Sequence, residues 1–184
     1  MNILETHDLD EAQSFADECL AGREGAIIFV CDEAQVLTGQ TNTMNKAKCE
    51  ELGLSVTTAL HIGGTLVCMP GDVVVCLTTW GRTDYAKKLT ETFADWLAGY
   101  GLVGEDNNDV TMYGKKVVSW AGGSTAEGWY QSGVHFSIGP MNLDLVDAIC
   151  TKPRKKTPGS LMEYHIGTED VLEVIKENMG LWLK

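Results

Sequence analysis

Two short apolar runs joined by Pro70-Gly71 constrain the fold of this chain most strongly. Gly63-Gly64 opens the run over residues 65–69, and a second run begins at Asp72 and contains three consecutive valines. β-Branched residues favour strands, and Pro-Gly is a common turn sequence. The pattern predicts a hairpin of two buried strands. The two glycines before the first strand have no side chain, so they either shape a turn or let a ligand approach the backbone closely.

Apolar periodicity assigns most of the remaining chain to short helices and strands. It predicts helices over residues 9–20, 45–52, 83–100, 143–149 and 168–179. It predicts strands over residues 26–30, 35–38, 54–61, 65–69, 72–79, 111–113, 116–120 and 133–138. Strands and helices do not alternate regularly, so an α+β fold with a mixed or largely antiparallel sheet is favoured over a doubly wound parallel sheet. We expect one domain over residues 1–184 and no smaller accessory domain.

The charge balance bears on the partners that the chain can have. Its formal net charge is −12, which opposes binding to nucleic acid because phosphates repel an acidic surface. No apolar run approaches the roughly 20 residues of a membrane span. The first eleven residues contain four acidic and no basic side chains, unlike a signal peptide. We therefore expect an acidic cytoplasmic protein that binds neither nucleic acid nor membrane.

The six cysteines are scattered and include no CxxC pair. This spacing favours buried, reduced thiols in a cytosolic protein over a disulfide framework or a zinc site. The densest basic run is Lys152-Pro153-Arg154-Lys155-Lys156. Such a run is either a solvated loop or a binding site for an anionic partner.

Several segments occur in an order that resembles a known family. They are Val36-Leu37-Thr38-Gly39-Gln40-Thr41-Asn42, the glycine hairpin, Asn107-Asn108-Asp109, Gly114-Lys115-Lys116 and Gly133-Val134-His135-Phe136. This succession resembles the catalytic domain of lipoate–protein ligases, which group with biotin–protein ligases and octanoyltransferases. The resemblance covers roughly residues 9 to 160.

The resemblance implies a function and a set of site residues. Members of that family use ATP and Mg²⁺ to activate lipoic or octanoic acid, and then transfer the acyl group to a lysine of a lipoyl-domain acceptor. By its position, Lys116 would be the catalytic cation, and Asp109 would be a metal ligand. The ligand-binding residues would be Gly63, Gly64, Thr65, Val67, Cys68, Asp72 and Asn108, with Val75 a further candidate for the lining of the acyl slot.

The sequence also departs from the family pattern at charged positions. Thr58 and Ala59 stand where the family has two arginines, Cys68 replaces the histidine of the hairpin, and Asp72 replaces an asparagine. Two alternatives therefore remain open. Beside the favoured ATP-dependent ligase, these are a relative without catalysis that binds a ligand or a protein, and an acyltransferase that uses an acyl thioester and no ATP. Cys68 and Cys150 are then candidate reactive thiols, and His61 and His135 are interpreted as strand histidines.

Overall fold

The computed structural model describes residues 1–39, 44–58, 64–81, 85–106 and 108–182. Five α-helices lie within these ranges: α1 Leu9–Leu20, α2 Lys46–Glu51, α3 Tyr85–Ala98, α4 Leu143–Ile149 and α5 Thr168–Trp182. The helix predictions are confirmed, with ends that differ by a few residues. A local signal explains the start of α1, because the side chain of Asp8 accepts hydrogen bonds from backbone N–H groups in its first turn.

The strands form two sheets, which confirms the mixed α+β architecture. They are β1 Asn2–Thr6, β2 Gly25–Val30, β3 Gln35–Thr38, β4 Ser55–Thr58, β5 Thr65–Cys68, β6 Val73–Trp80, β7 Val103–Asp106, β8 Asp109–Met112, β9 Lys115–Ser124 and β10 Trp129–Phe136. The larger sheet has the order β1-β2-β6-β10-β9-β8-β7, in which β1 and β2 run parallel and the other neighbours antiparallel. The smaller sheet has the order β4-β3-β5.

The predicted hairpin of residues 65–69 and 72–79 is wrong. Strand β5 pairs with β3 in the small sheet, whereas β6 pairs with β2 and β10 in the large sheet. The Pro70-Gly71 turn therefore connects two sheets, and Gly71 has a φ of +92° that favours glycine. Residues 59–63, which include Gly63 and His61, lie outside the described residues.

A buried carboxylate explains why the chain changes sheets at this turn. Asp72 is fully buried, and its side chain accepts hydrogen bonds from the backbone N–H groups of Met69, Ile138 and Gly139. The ring of His135 lies 3.0 Å from the same carboxylate. Asp72 thus ties the start of β6 to the end of β10 and turns β5 away from β6.

Apolar clusters cover both faces of the large sheet and both faces of the small sheet. Helices α3 and α5 pack on one face, where Leu89, Phe93 and Phe136 are fully buried. Helix α1 packs on the opposite face, which confirms the apolar stripe predicted for residues 9–20. A third cluster joins the small sheet to α2 and α4 through Val36, Cys49, Val67, Val146 and Ile149. This third cluster forms the floor of the site described below.

Strands β1 and β7 and the 3₁₀ turn Leu161–Tyr164 were not predicted from the sequence. The two strands are edge strands of mostly exposed residues, so they carry little apolar signal. All six cysteines are free, and five of them are buried. No helix among the described residues is long and apolar enough to cross a membrane.

Replacing Asp72 by asparagine should strongly destabilise the fold. The amide of Asp72→Asn would place an N–H group against backbone N–H donors in a buried site, and the charge-assisted hydrogen bonds would be lost. We expect a loss of about 3 kcal/mol or more in the free energy of unfolding, measured by urea titration. Asp32→Asn is the matched control, because Asp32 contacts His7 at the surface and should contribute less than about 1 kcal/mol. A loss below about 1 kcal/mol for Asp72→Asn would contradict this account.

Candidate functional site

A cavity of about 440 Å³ lies where the small sheet, strands β9 and β10, helix α4 and the loop 152–158 meet. Its volume is within the range of roughly 300–1,000 Å³ that is usual for small-molecule sites. The residues that line it are Gly64, Thr65, Leu66, Val67, Asp109, Lys116, His135, Ser137, Met141, Val146, Cys150, Lys152, Pro153, Arg154, Lys155, Lys156 and Pro158. The lining combines apolar side chains with an unusual concentration of cations.

The apolar part of the lining comes from the small sheet and from α4 with the segment before it. Leu66 and Val67 belong to β5, and Met141 and Val146 lie just before α4 and within it. Val67 and Val146 are nearly completely buried because they also belong to the third apolar cluster. These side chains can accommodate an aliphatic chain.

The cationic part brings together Lys116 and the basic run of residues 152–156. The loop that carries this run is fixed against the start of β9, because Lys116 N donates to Thr157 O at 2.8 Å and Gly159 N donates to Lys116 O at 2.8 Å. Five cationic side chains therefore line one cavity of a protein whose net charge is −12. Such an arrangement attracts a carboxylate or a phosphate.

Asp109 holds two of these cations in place. One carboxylate oxygen lies 3.9 Å from Lys116 Nζ, and the other lies 3.2 Å from Lys156 Nζ. Lys156 Nζ also lies 3.2 Å from the carboxylate of Asp106. Desolvation lowers the pKa of Lys156, but the hydrogen bonds to Asp106 and Asp109 outweigh it and raise the pKa overall. Lys156 therefore remains charged at neutral pH.

These contacts favour Asp109 as a counter-ion of the lysines over its predicted role as a metal ligand. Mg²⁺ usually takes one or two protein carboxylates together with phosphate oxygens. Both oxygens of Asp109 already face ammonium groups. Within the described ranges, no group of three or more His, Cys, Asp or Glu side chains is placed to hold a metal ion. Asp109 is therefore a counter-ion in this structure, and its role as a ligand of a Mg²⁺ ion that binds together with ATP stays a prediction.

Cys150 lines the cavity at the end of α4. Burial raises the pKa of its thiol, and the nearby Lys116 ammonium offsets this only in part. The thiol is therefore protonated at neutral pH, which disfavours it as a nucleophile.

The structure brings five of the predicted site residues to the cavity: Gly64, Thr65, Val67, Asp109 and Lys116. Asn108 is exposed and is not part of the lining, and its backbone carbonyl accepts a hydrogen bond from Trp120 N. Val75 is buried in the large cluster under α3 and α5, so it does not border the cavity. Gly63 lies outside the described residues.

Cys68 and Asp72 are also placed away from the cavity lining. Cys68 is fully buried in the cluster under α1. A hydrogen bond with Cys31 and burial raise the pKa of its thiol, so it does not resemble a reactive cysteine. Asp72 contacts the site indirectly, through the ring of His135.

Two parts of this site were not assigned to it from the sequence. The sequence left two interpretations of the basic run 152–156, a solvated loop or an anion-binding site. His135 was interpreted as a strand histidine. Both line the cavity. The sequence did contain a signal for the loop, because four of the fourteen lysines and arginines lie within five consecutive residues. No local signal identifies His135, because its partner Asp72 is 63 positions away.

Comparison with known proteins identifies the fold. No protein-family model matches the sequence, and no curated protein matches it. A solved structure of a Thermoplasma acidophilum protein with bound lipoic acid has a TM-score of 0.72 and 15% identity, over 99% of this chain and 84% of that one. The bi-partite lipoate protein ligase of the same organism, described with its E2 lipoyl domain, has a TM-score of 0.70 and 13% identity, over 99% and 83%.

Two further structures extend the comparison. Lipoate-protein ligase A bound with ATP has a TM-score of 0.69 and 13% identity, over 94% of this chain and 81% of that one. The biotin protein ligase from Aquifex aeolicus, in complex with biotin and ATP, has a lower TM-score of 0.54 and 14% identity, over 97% and 70%. The chain therefore has a divergent form of the biotin/lipoate ligase catalytic-domain fold. At these identities the likeness establishes the fold alone.

The state of Cys150 can be tested by alkylation. Because its thiol pKa is raised, we expect iodoacetamide to modify Cys150 more slowly at neutral pH than it modifies a free cysteine peptide, with the rate increasing as the pH rises. Mass spectrometry of tryptic peptides measures this rate. The five buried cysteines serve as internal controls, because iodoacetamide should modify them only if the protein unfolds. Alkylation faster than that of the free peptide would restore Cys150 as a candidate nucleophile.

Proposed function

We propose that this protein is a ligase of the lipoate–protein type. It activates lipoate or octanoate with ATP and transfers the acyl group to a lysine of a lipoyl-domain acceptor in the cytoplasm. One observation carries the proposal: a single cavity is lined both by aliphatic side chains and by a group of cations that includes Lys116.

The aliphatic side chains match the acyl chain. Lipoic and octanoic acids each carry an eight-carbon chain that ends in a carboxylate, so they present apolar and anionic parts together. Burial of each CH₂ group favours binding by about 0.8 kcal/mol, which selects long acids over short ones. Leu66, Val67, Met141 and Val146 provide the apolar surface against which such a chain would pack.

The cations match the chemistry of activation. Joining a carboxylic acid to ATP brings a carboxylate and a triphosphate together, so several negative charges must be balanced where they meet. Residues 152–156 would contact the phosphates, and Lys116 would stabilise the negative charge that develops on the acyl oxygen. In this proposal the lysine pair held by Asp109 provides the positive charge, and no step is assigned to Mg²⁺.

The fold neighbours support this proposal in three respects. One has lipoic acid bound, one has ATP bound, and one is described together with its E2 lipoyl domain. A small acid, a nucleotide and a lipoyl-domain acceptor are therefore the first ligands and partners to test with this chain.

Lys116→Ala should reduce acyl transfer about 10²–10³-fold, the usual effect of removing one preorganised donor from a reacting site. Lys115→Ala is the matched control. The neighbouring Lys115 ammonium forms an ion pair with Glu163 at 2.6 Å and is not part of the cavity lining, so its loss should leave transfer close to that of the wild type. The assay incubates octanoate or lipoate, ATP and a lipoyl domain, and measures the acylated domain by mass spectrometry.

Three results would contradict the proposal. Equal activity of Lys116→Ala and the wild type would remove Lys116 from the mechanism. A wild type that transfers no acyl group from the acid and ATP, but transfers it from an acyl thioester, would show an ATP-independent acyltransferase. Absence of both activities would favour a module that binds a ligand or a protein.

Wild-type affinity for ATP should be weak, because Thr58 and Ala59 replace the two arginines of the family. A hydrogen bond to a charged group typically contributes about 1.5–3 kcal/mol, so we expect Lys156→Met to weaken ATP binding a further roughly 10–100-fold. Isothermal titration calorimetry measures both values. Lys176→Met is the control, since Lys176 pairs with Glu5 and lies outside the cavity lining. A sub-micromolar dissociation constant for the wild type, or no effect of Lys156→Met, would contradict this prediction.

A further inference from the structure

His135 is a titratable side chain whose location on β10 places it in the wall of the cavity. It is 7% exposed, and it lines both the main cavity and a smaller one of about 80 Å³ beside Gly64 and Trp120. Its Nε2 atom lies 3.0 Å from the buried Asp72 carboxylate. In the described part of the chain, Asp72 is the one recorded hydrogen-bond partner of this ring.

The contacts of Asp72 fix the orientation of the imidazole. Its carboxylate already accepts hydrogen bonds from the N–H groups of Met69, Ile138 and Gly139, so it acts as an acceptor. Nε2 therefore carries the proton and donates it to Asp72. In neutral imidazole the other ring nitrogen, Nδ1, then has the lone pair and can accept a proton.

The transfer step of the proposed reaction needs a proton acceptor. When a lysine amine attacks the acyl carbon of an acyl adenylate, a C–N bond forms and the nitrogen becomes positively charged and acidic. The C–O bond to the phosphate breaks, and AMP leaves with the electron pair. The nitrogen must lose a proton before a neutral amide results.

Other polar groups in the lining are less suited to accept this proton. Lys116 and the basic loop carry ammonium and guanidinium groups without a free lone pair. The Cys150 thiol is protonated because burial raises its pKa. Asp109 has both oxygens directed to Lys116 and Lys156. Among the described acid–base side chains of the lining, His135 remains as the one with an available lone pair and a fixed orientation.

We propose that His135 is the catalytic base of the acyl-transfer half-reaction. Its Nδ1 accepts the proton of the attacking lysine amine as the C–N bond forms, and Asp72 is the positioning residue that holds the ring. The imidazolium then returns the proton to solvent. This assignment rests on the proposed acyl transfer, and it applies to the second half-reaction and not to the activation of the acid.

The test uses preformed octanoyl-adenylate in single-turnover reactions with two nucleophiles. A lysine amine is strongly basic, so the nitrogen that it contributes to the forming amide holds its proton and needs a positioned base. Hydroxylamine is a much weaker base and is uncharged at neutral pH, so after its attack solvent can accept the proton. We expect His135→Gln to slow transfer to the lipoyl domain about 10²–10⁴-fold, the usual contribution of general base catalysis. Transfer to hydroxylamine should stay within about threefold of the wild-type rate.

Two further variants make the result specific. His135→Asn removes the base with a shorter amide side chain, and should show the same selective loss if His135→Gln fails to fold. His7→Gln is the matched control, because His7 forms a similar pair with Asp32 at the surface, with a 2.7 Å contact and a half-exposed ring. It should leave both rates unchanged.

The outcomes separate this proposal from the proposed function. Equal losses with both nucleophiles, or no loss with either, would overturn the role of His135 while acyl transfer itself stands. A folded wild type that transfers the octanoyl group to neither nucleophile would overturn the proposed function together with this role. Selective loss of transfer to the lysine acceptor supports the role of His135.

Discussion

Four hydrogen bonds converge on the carboxylate of Asp72, and the arrangement of the two sheets depends on them. Three come from backbone N–H groups at the end of β5 and just after β10, and one comes from His135. A buried carboxylate is tolerated only when its acceptor capacity is filled, so the surrounding backbone has little freedom to move. The contacts keep β5 and β6 in separate sheets. The cavity lies beside this junction and takes part of its lining, Gly64 to Val67 and His135, from its two sides.

Charge is distributed unevenly in the same region. A chain with a net charge of −12 collects Lys116 and four further cations around one cavity, and Asp106 and Asp109 hold Lys156 against the start of β8. A cation that is held in place before a ligand arrives does not need to reorganise when negative charge develops. This local field attracts an anionic ligand of the proposed kind despite the repulsion expected from the whole molecule.

The sequence predicted individual helices and strands well, but it did not predict which segments distant in sequence are in contact. Helices such as Leu9–Leu20 and Leu143–Ile149 follow from apolar periodicity and from their capping residues Asp8 and Asn142. The partners of β5 could not be read from its sequence, because an apolar run of four residues fits a hairpin and a separate sheet equally well. The same holds for the site. Lys116, Gly64 and Val67 were predicted from their order along the chain and do line the cavity, but the loop 152–156 and His135 reach it only through tertiary contacts.

The central claim is that one cavity binds both parts of an activated acyl group. A crystal structure with a non-hydrolysable octanoyl-adenylate analogue tests it most directly. We expect the octanoyl chain to lie against Val67, Met141 and Val146, a phosphate-mimicking group to lie within hydrogen-bond distance of Lys116 or of the loop 152–156, and His135 to face the acyl carbon. An analogue bound at another surface, or one that binds with its acyl chain outside this cavity, would contradict the claim.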